Sequence, residues 1–220
     1  MATWLVPLVV AIVLHEVGHD TTARMLGDNS LAEAGLPRFD PRRYVDPIGT
    51  LALPLMLVLL HAPVFGWARS SPTDVSRFRN PRLDTALWSL AGPMTNLFCG
   101  TVSVGLLALL AGAANGAELS PAMTFLADNL FNFIQINIFL AVFNMLPIYP
   151  FDGAHVLEGL LPPKAANEFR QLAPYGFPLL ILMLVVLPSL SPNLDIIGRF
   201  VRTLAGAITL GLLGSLDLAG

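Results

Sequence analysis

Apolar stretches of membrane-spanning length recur along the whole chain, and this feature restricts its fold more than any other. Only 12% of the 220 residues are charged, whereas soluble domains carry about 25%. Hydrophobic residues make up 55% of the chain, so most of its surface cannot face water. In lipid, every backbone polar group must be satisfied within the chain, which favours helices. The sequence therefore predicts an all-α polytopic membrane protein, a transmembrane helix bundle formed by one domain over residues 1–220.

The apolar stretches predicted to form helices are separated by polar segments. They cover residues 4–26, 83–114, 123–146, 175–190 and 194–213. The first stretch has no basic segment before it and no small-residue cleavage site after it, so we interpret it as a retained helix rather than a signal peptide. A further apolar piece, residues 48–60, contains Pro54. It is too short for a comfortable span, which needs about 20 residues.

The first predicted helix carries a motif with metal-binding spacing, since residues 15–19 read His-Glu-Val-Gly-His. Positions i and i+4 lie on one face of a helix about one turn apart, so His15 and His19 can bind the same metal ion while Glu16 serves as a base. The alternative is a pair of buried histidines satisfied by neighbouring polar groups. Inside an apolar helix, two histidines and a glutamate cost free energy unless they serve a site, which favours metal binding.

A catalytic zinc site needs a third protein ligand and an open position for water. The single cysteine, Cys99, excludes a site built from several cysteines. Asp152 is a suitable carboxylate because it directly follows a long apolar stretch. An Asp-Gly pair is also typical of an ordinary turn at the membrane surface. Taken together with the motif on the first helix, the position of Asp152 favours a metal ligand.

Three motifs follow one another along the chain. They are the His-Glu-x-x-His motif at residues 15–19, Ala-Gly-Pro-Met-Thr-Asn at residues 91–96, and the segment Asn144–Gly153, which contains Asp152. Shorter characteristic segments lie at residues 46–50, 65–68 and 78–81. In this order they resemble the site-2 protease family of intramembrane zinc metalloproteases, in its short form with the zinc motif on the first helix.

The resemblance covers about residues 5–180. It departs from the family pattern at Tyr149 and Phe151, where the family commonly has proline and leucine, and neither position is a ligand. The resemblance implies that the aspartate of the third motif, Asp152 here, is the third zinc ligand. It also implies one zinc ion per chain.

The ligand set implies a mechanism of peptide hydrolysis. Zinc held by His15, His19 and Asp152 would activate a water, with Glu16 as general base and later as the acid that protonates the leaving amine. Because the site would lie within the bilayer, we expect the substrate to be a transmembrane segment of another protein, as in regulated intramembrane proteolysis. Lipid is the other expected partner, and no basic stripe indicates nucleic-acid binding.

Two asparagines are weaker candidates for the site. Asn144 lies near the end of the helix that delivers Asp152, where its amide would either bind the substrate carbonyl or the oxyanion, or cap and pack the helix. Asn96 follows a Gly-Pro pair that allows close backbone approach. Packing between helices is the favoured role for Asn96, and substrate or oxyanion binding is the alternative.

Two other classes of function remain open. A membrane metal-binding or transport protein would also place histidine and aspartate inside the bilayer, but it does not need Glu16 beside the metal. A proteolytically inactive relative would bind transmembrane clients without cutting them. The complete ligand set together with Glu16 favours a zinc metalloendopeptidase over both.

The three ligands must lie at one depth in the membrane, which restricts the path of the chain. The first helix and the helix before Asp152 both carry ligands near their C-terminal ends, so they must run in the same direction. The helix over residues 83–114 must then run the opposite way. The chain between residues 20 and 83 would cross an even number of times, so we predict a re-entrant or hairpin element over residues 48–66.

Arginines flank this predicted element on both sides. They are Arg38, Arg42, Arg43, Arg69, Arg77, Arg79 and Arg82. Such residues favour the cytoplasmic side of the cell inner (plasma) membrane. We therefore expect the N-terminus outside and the zinc nearer the cytoplasm, although Arg199 and Arg202 fit this scheme poorly.

Overall fold

The protein is described by a computed structural model that covers residues 2–35, 44, 46–52, 56, 73–114 and 118–217. Its helices are α1 (Ala2–Met25), α2 (Ser30–Glu33), α3 (Pro81–Ala114), α4 (Pro121–Asn144), α5 (Asp152–Leu160), α6 (Pro163–Arg170), α7 (Ala173–Leu190) and α8 (Ile196–Asp217). Short 3-10 or π-helical turns lie at Pro47–Ala52, Val75–Arg77 and Pro192–Leu194, and a π-helical turn lies inside α7 at Leu182–Val186. No strand occurs among the described residues, which confirms the predicted all-α class.

Among the described residues, four helices, α3, α4, α7 and α8, are long and apolar enough to cross a membrane. Helix α1 has 24 residues and packs against both α3 and α4. The predicted polytopic helix bundle is therefore confirmed. The predicted element over residues 48–66 falls largely outside the described residues, of which only the π-helical turn at Pro47–Ala52 and Met56 belong to this part of the chain.

The boundaries of α4 follow from its flanking residues. Ser120 caps the helix, its hydroxyl accepting a hydrogen bond from the Met123 N–H at 3.4 Å, and Pro121 occupies the first turn. The helix ends at Asn144 because Pro147 and Pro150 cannot continue it. This end comes two residues before the predicted one at Leu146, and it leaves a turn between α4 and α5.

Contacts between helices establish their relative directions. Asn132, midway along α4, donates to the carbonyl of Thr3, near the start of α1, at 2.9 Å. Asn96 of α3 donates to Ala11 of α1 at 3.2 Å, whereas the earlier residue Ala91 lies against Gly18, later in α1. Helices α1 and α3 are therefore antiparallel. Because the C-terminal ends of α1 and α4 both lead to the cluster that contains Asp152, the predicted parallel course of these two helices is confirmed.

Helices α1 and α3 approach each other very closely at Gly18. A Cβ atom at this position would lie 2.3 Å from the Thr95 hydroxyl oxygen and 2.9 Å from the Ala91 carbonyl oxygen. Small residues at such crossings are typical of membrane helix pairs, whose association depends on close van der Waals contact. The close approach brings the motif of α1 directly against α3.

A separate apolar cluster lies mainly between α4, α7 and α8, with one residue from α3 and one from the segment that follows α4. Its buried members are Val104, Ile134, Ile138, Val142, Phe143, Leu146, Leu180, Leu184, Ile197, Val201 and Ala205. We call this set the apolar cluster. It holds α7 and α8 against the side of α4 that carries Ile134, Ile138 and Val142, and it includes no titratable group.

Candidate metal centre

Three of the predicted site residues come together in the structure. His15 and His19 project from α1, and Asp152 is the first residue of α5. The Nε2 atoms of the two histidines are 3.1 Å apart. The Oδ2 atom of Asp152 lies 3.3 Å from His15 Nε2 and 3.4 Å from His19 Nε2. Three potential ligand atoms thus form a nearly equilateral triangle.

The size of this triangle fits a zinc ion. Zinc bonds to imidazole nitrogen and carboxylate oxygen at about 2.0–2.2 Å, so two ligands of a tetrahedral site lie about 3.3–3.5 Å apart. The observed separations of 3.1–3.4 Å match one face of that tetrahedron. Within the described part of the chain, the buried Asp152 Oδ2 atom makes no hydrogen bond. A buried carboxylate oxygen facing two imidazole nitrogens is explained by a cation between them.

The other ring nitrogen of each histidine is held by an oxygen atom. His15 Nδ1 lies 2.5 Å from the side-chain oxygen of Asn96, and His19 Nδ1 lies 2.8 Å from the backbone carbonyl of Trp88. A carbonyl oxygen only accepts, so each Nδ1 must carry the proton and donate it. This tautomer leaves both Nε2 lone pairs for the metal, which is the usual arrangement of metal-binding histidines.

The backbone of α3 leaves open space beside the two Nε2 atoms. A Cβ atom at Gly92 would lie 2.3 Å from His19 Nε2 and 2.6 Å from His15 Nε2. Any side chain at this position would therefore enter the volume directly beside the two ligand atoms. Gly92 is buried and comes immediately before Pro93. The missing side chain, rather than backbone freedom, explains why glycine suits this position.

The turn after α4 holds Asp152 in place. Glycine at position 153 is required by close packing, because a Cβ there would lie 2.3 Å from the Met145 carbonyl oxygen. Further along, α7 packs against the turn at Gly176, where a Cβ would lie 2.2 Å from the Tyr149 carbonyl oxygen. The turn is thus tightly packed by the start of α5 and by α7.

A polar cluster links the same turn to α5 and α6. The Tyr149 hydroxyl donates to Glu158 of α5, and Arg170 of α6 donates to the same carboxylate, with its Nε atom at 2.8 Å. Partial burial acts to raise the pKa of Glu158, but the hydrogen bonds from Arg170 and Tyr149 outweigh it and lower this pKa below its usual value. Burial and the Glu158 contact together raise the pKa of Tyr149.

Of the remaining predicted residues, Glu16 and Asn96 adjoin this centre. Glu16 is partly buried on α1 and interacts electrostatically with His15, His19 and Asp152. Asn96 is fully buried, with its oxygen on His15. Asn144 is the half-buried last residue of α4, and its amide nitrogen donates to the Leu140 carbonyl at 3.0 Å.

Three contributions to the centre were not anticipated from the sequence. They are the Trp88 carbonyl that holds His19, the open space at Gly92, and Asn137, which bonds to Asn96 at 2.8 Å. The sequence signal for Asn137 was an amide inside an apolar helix, where polar groups are costly unless they have a partner or a role. A backbone carbonyl such as that of Trp88 leaves no signal in a sequence.

Comparisons with known proteins were made for the whole chain. The model of peptidase family M50 matches residues 51–185, more than half of the chain. The Bacillus subtilis protein named "Putative zinc metalloprotease YwhC" is 35% identical over 184 residues, which are 83% of this chain and 80% of that protein. No solved structure matches the chain.

Two mycobacterial proteins, both named "Putative zinc metalloprotease Rip2", are also similar. The one from Mycobacterium tuberculosis is 34% identical over 195 residues, which are 89% of this chain and 68% of that protein. The one from Mycolicibacterium smegmatis is 30% identical over 192 residues, which are 87% of this chain and 68% of that protein. The similarity to these relatives thus extends over most of the chain.

Proposed function

Because the chain belongs to peptidase family M50, the site-2 protease family, and is a multi-pass membrane metalloprotease that uses zinc, we propose that it cuts peptide bonds within or near transmembrane segments of other membrane proteins. We further propose that His15, His19 and Asp152 hold the zinc ion and that Glu16 is the general base. Regulated intramembrane proteolysis is the process in which we place it.

One observation carries the assignment of the ligands. The two Nε2 atoms and Asp152 Oδ2 converge to within 3.1–3.4 Å, although Asp152 is far from the histidines in sequence. Such a convergence of a carboxylate and two imidazoles in an apolar bundle costs free energy unless a cation compensates it. The outer bonds to Asn96 and Trp88, which leave both Nε2 lone pairs unprotonated, support the same assignment.

The proposed chemistry is hydrolysis of an amide. Zinc, when bound, supplies Lewis-acid catalysis by polarising a water and the carbonyl of the scissile bond. Glu16 accepts a proton from the attacking water, and the water oxygen forms a bond to the carbonyl carbon. The carbon–nitrogen bond then breaks, and Glu16 returns the proton to the leaving nitrogen, which departs as an amine. We propose that Asn144 binds the substrate carbonyl oxygen or the developing oxyanion.

The depth of the site restricts its substrates. We propose that the site lies within the bilayer and that a substrate reaches it from there, because the helices that carry the proposed ligands pack against α3, which is long and apolar enough to span a membrane. A peptide bond in an intact helix is shielded by its own hydrogen bonds. We therefore propose that the substrate helix unwinds locally, and that helix-breaking residues near the cut favour cleavage.

Purified protein in liposomes with a single-span model substrate tests the proposal. Glu16→Gln is expected to keep zinc near one ion per chain and to lose at least about 1,000-fold in cleavage rate, because it removes the base without removing a ligand. Zinc loss in this variant would assign Glu16 as a ligand and contradict our roles. Zinc binding by the wild type without cleavage of any transmembrane substrate would favour transport or an inactive relative.

The proposed orientation places the zinc nearer the cytoplasmic side of the inner membrane, and it has its own test. In a Cys99→Ala background, single cysteines at Arg77 and Lys164 report on the side that holds the C-terminal ends of α1 and α4. A cysteine at Glu118, between α3 and α4, reports on the opposite side. In intact cells, an impermeant thiol reagent is expected to label only position 118; labelling at 77 and 164 instead would invert the orientation.

A further inference from the structure

We propose that Asn137 is a positioning residue for the zinc site, acting through Asn96 to hold His15 in the tautomer that leaves its Nε2 atom free for the metal. The inference rests on the proposed ligand set. It adds to that set a residue of α4 that neither contacts the ligand atoms nor belongs to the motifs identified in the sequence.

A continuous chain of hydrogen bonds carries the inference. His15 Nδ1 lies 2.5 Å from Asn96 Oδ1, and Asn96 Nδ2 donates to Asn137 Oδ1 at 2.8 Å. Asn137 Nδ2 in turn donates to the Phe133 carbonyl, one turn earlier in α4, at 2.7 Å. The chain therefore links three helices, starting from a backbone carbonyl of α4 and ending on a predicted metal ligand of α1.

The direction of each amide is determined by what it faces. An asparagine side chain carries one acceptor end and one donor end, and a flip exchanges them. The Phe133 carbonyl only accepts, so the nitrogen of Asn137 must face it, and the oxygen of Asn137 must face Asn96. Asn96 consequently directs its nitrogen towards Asn137 and its oxygen towards His15.

A flipped Asn96 would have the opposite effect on His15. Its donor end would face Nδ1, which would then have to accept, and the ring proton would move to Nε2. A protonated Nε2 cannot bind a metal. Asn137 therefore contributes to zinc affinity by making the flipped orientation of Asn96 unfavourable, because two carbonyl oxygens do not hydrogen-bond to each other.

Burial makes this control effective. Asn96 and Asn137 are both 0% exposed, and buried amides that lose a partner gain no compensation from solvent. The amide nitrogen of Asn96 has a second acceptor, the Ala11 carbonyl, at the longer distance of 3.2 Å. Loss of Asn137 would therefore weaken the orientation of Asn96 rather than abolish it, which sets the size of the expected effect.

The test compares three variants of the purified full chain. Asn137→Leu removes the acceptor at similar volume, and Asn137→Asp keeps an oxygen towards Asn96. Asn132→Leu is the matched control, since Asn132 is another buried amide of α4 whose nitrogen donates to Thr3 at 2.9 Å, away from the metal centre. Zinc dissociation constants are measured by chelator competition, and unfolding of the metal-free proteins by denaturant titration.

Asn137→Leu is expected to weaken zinc binding by about 10-fold, at the lower end of the range for residues that orient a metal ligand. Asn137→Asp is expected to recover most of that affinity, and Asn132→Leu to bind as the wild type does, even if all three lose similar stability. Equal zinc affinities of Asn137→Leu and Asn132→Leu would overturn the inference, as would an Asn137→Asp protein that binds zinc as weakly as Asn137→Leu.

Two further proteins keep the test decisive. Asn137→Ala replaces Asn137→Leu if the latter does not fold, with the same expected loss of affinity. His15→Ala separates the inference from the proposed function, because it removes a proposed ligand directly. Full zinc affinity in His15→Ala would refute the proposed site itself, whereas zinc loss there combined with normal binding in Asn137→Leu would refute only the role of Asn137.

Discussion

Helix α4 takes part in two regions whose packing differs in kind. On one side, Asn137 joins a buried hydrogen-bonded centre with Asn96 and His15. On the adjacent part of its surface, Ile134 and Ile138 belong to the apolar cluster shared with α7 and α8. Both regions are almost completely buried, but the polar centre depends on the direction of each bond, whereas the apolar cluster depends only on shape.

The difference shows how a membrane protein places a site accurately. Lipid tails are as apolar as the side chains of the cluster, so burying isoleucine against leucine gives little preference for one helix arrangement over another. A hydrogen bond between buried amides has one correct geometry, and its loss leaves an unsatisfied group in a medium without water. We therefore expect changes in the polar centre to affect zinc binding, and changes in the apolar cluster to affect stability alone.

The largest effect is expected from Asp152→Asn, which tests the centre at a proposed ligand. A neutral amide is a poorer zinc ligand than a carboxylate. Zinc affinity should therefore fall by more than about 100-fold, which exceeds the loss expected for a residue that only orients a ligand. Proteolysis should fall with it. Zinc content by metal analysis after dialysis measures the first effect.

The matched control for this change is Asp195→Asn. Asp195 accepts hydrogen bonds from Gly198 and Arg202 at the start of α8, away from the metal centre. The control should keep its zinc. Full zinc occupancy and normal cleavage in Asp152→Asn would mean that another residue completes the site.

Gly92→Ala is expected to have the next largest effect, and it changes no polar group. The added methyl group would lie 2.3 Å from His19 Nε2 and 2.6 Å from His15 Nε2, so the methyl group and the two imidazoles cannot all keep these positions. We expect at least about a 10-fold loss of zinc affinity, as for other changes that displace a ligand. Gly105→Ala on the same helix, where a Cβ would meet nothing within 4 Å, should bind zinc normally. Equal affinities in the two variants would show that the centre tolerates displacement.

Leu180→Ala tests the apolar cluster in the same way. In the core of a soluble protein, a leucine-to-alanine change lowers the free energy of unfolding by about 2–5 kcal/mol. In lipid, the part of this cost that comes from transfer out of water is largely absent, and the cost of the cavity remains. We therefore expect Leu180→Ala to lower the free energy of unfolding by about 1–2 kcal/mol. The free energy of unfolding in mixed micelles measures this loss, and zinc affinity of the folded protein should not change. The adjacent Leu179, which is 41% exposed, provides the control Leu179→Ala, with little effect on either quantity. A large loss of zinc affinity in Leu180→Ala would remove the contrast between the two regions.

The smallest effect concerns pH and the cluster of Tyr149, Glu158 and Arg170. Because the folded-state pKa of Glu158 is lowered, its contribution to stability is fully present above the ordinary value of 4.5 and is lost as the pH falls through the folded pKa. We expect this contribution of Glu158 to the free energy of unfolding to be less than about 1 kcal/mol, since Arg170 is largely exposed to solvent.

The measurement is the difference in free energy of unfolding between wild type and Glu158→Gln as a function of pH. This difference should be constant above about pH 5 and should shrink towards lower pH. A difference that grew on acidification would have the wrong sign for a carboxylate with a lowered pKa. Zinc affinity above pH 5 should be nearly equal in the two proteins if the close packing at Gly153 and Gly176, rather than this cluster, holds Asp152.

Much of the fold could be predicted because its signals are local. The apolar stretches correspond to α1, α3, α4, α7 and α8, and helix ends follow from adjacent proline and serine residues. The predicted helix at residues 83–114 differs from α3 only at its start. The sequence could also relate the directions of α1, α3 and α4, because ligands of one metal must share one depth.

The sequence by itself determined that His15 and His19 face the same way, because a spacing of four residues on a helix is a property of the backbone alone. It could only suggest Asp152 as a candidate third ligand. The fold brings this residue to the two histidines although it lies more than a hundred residues further along the chain. The tertiary structure decided that Gly92 leaves room beside the two Nε2 atoms and that Asn96 turns its oxygen to His15. These features depend on distances of a few ångströms between helices, and on which end of an amide meets which neighbour. Composition and periodicity do not encode these relations, because the relations arise only when three helices pack together.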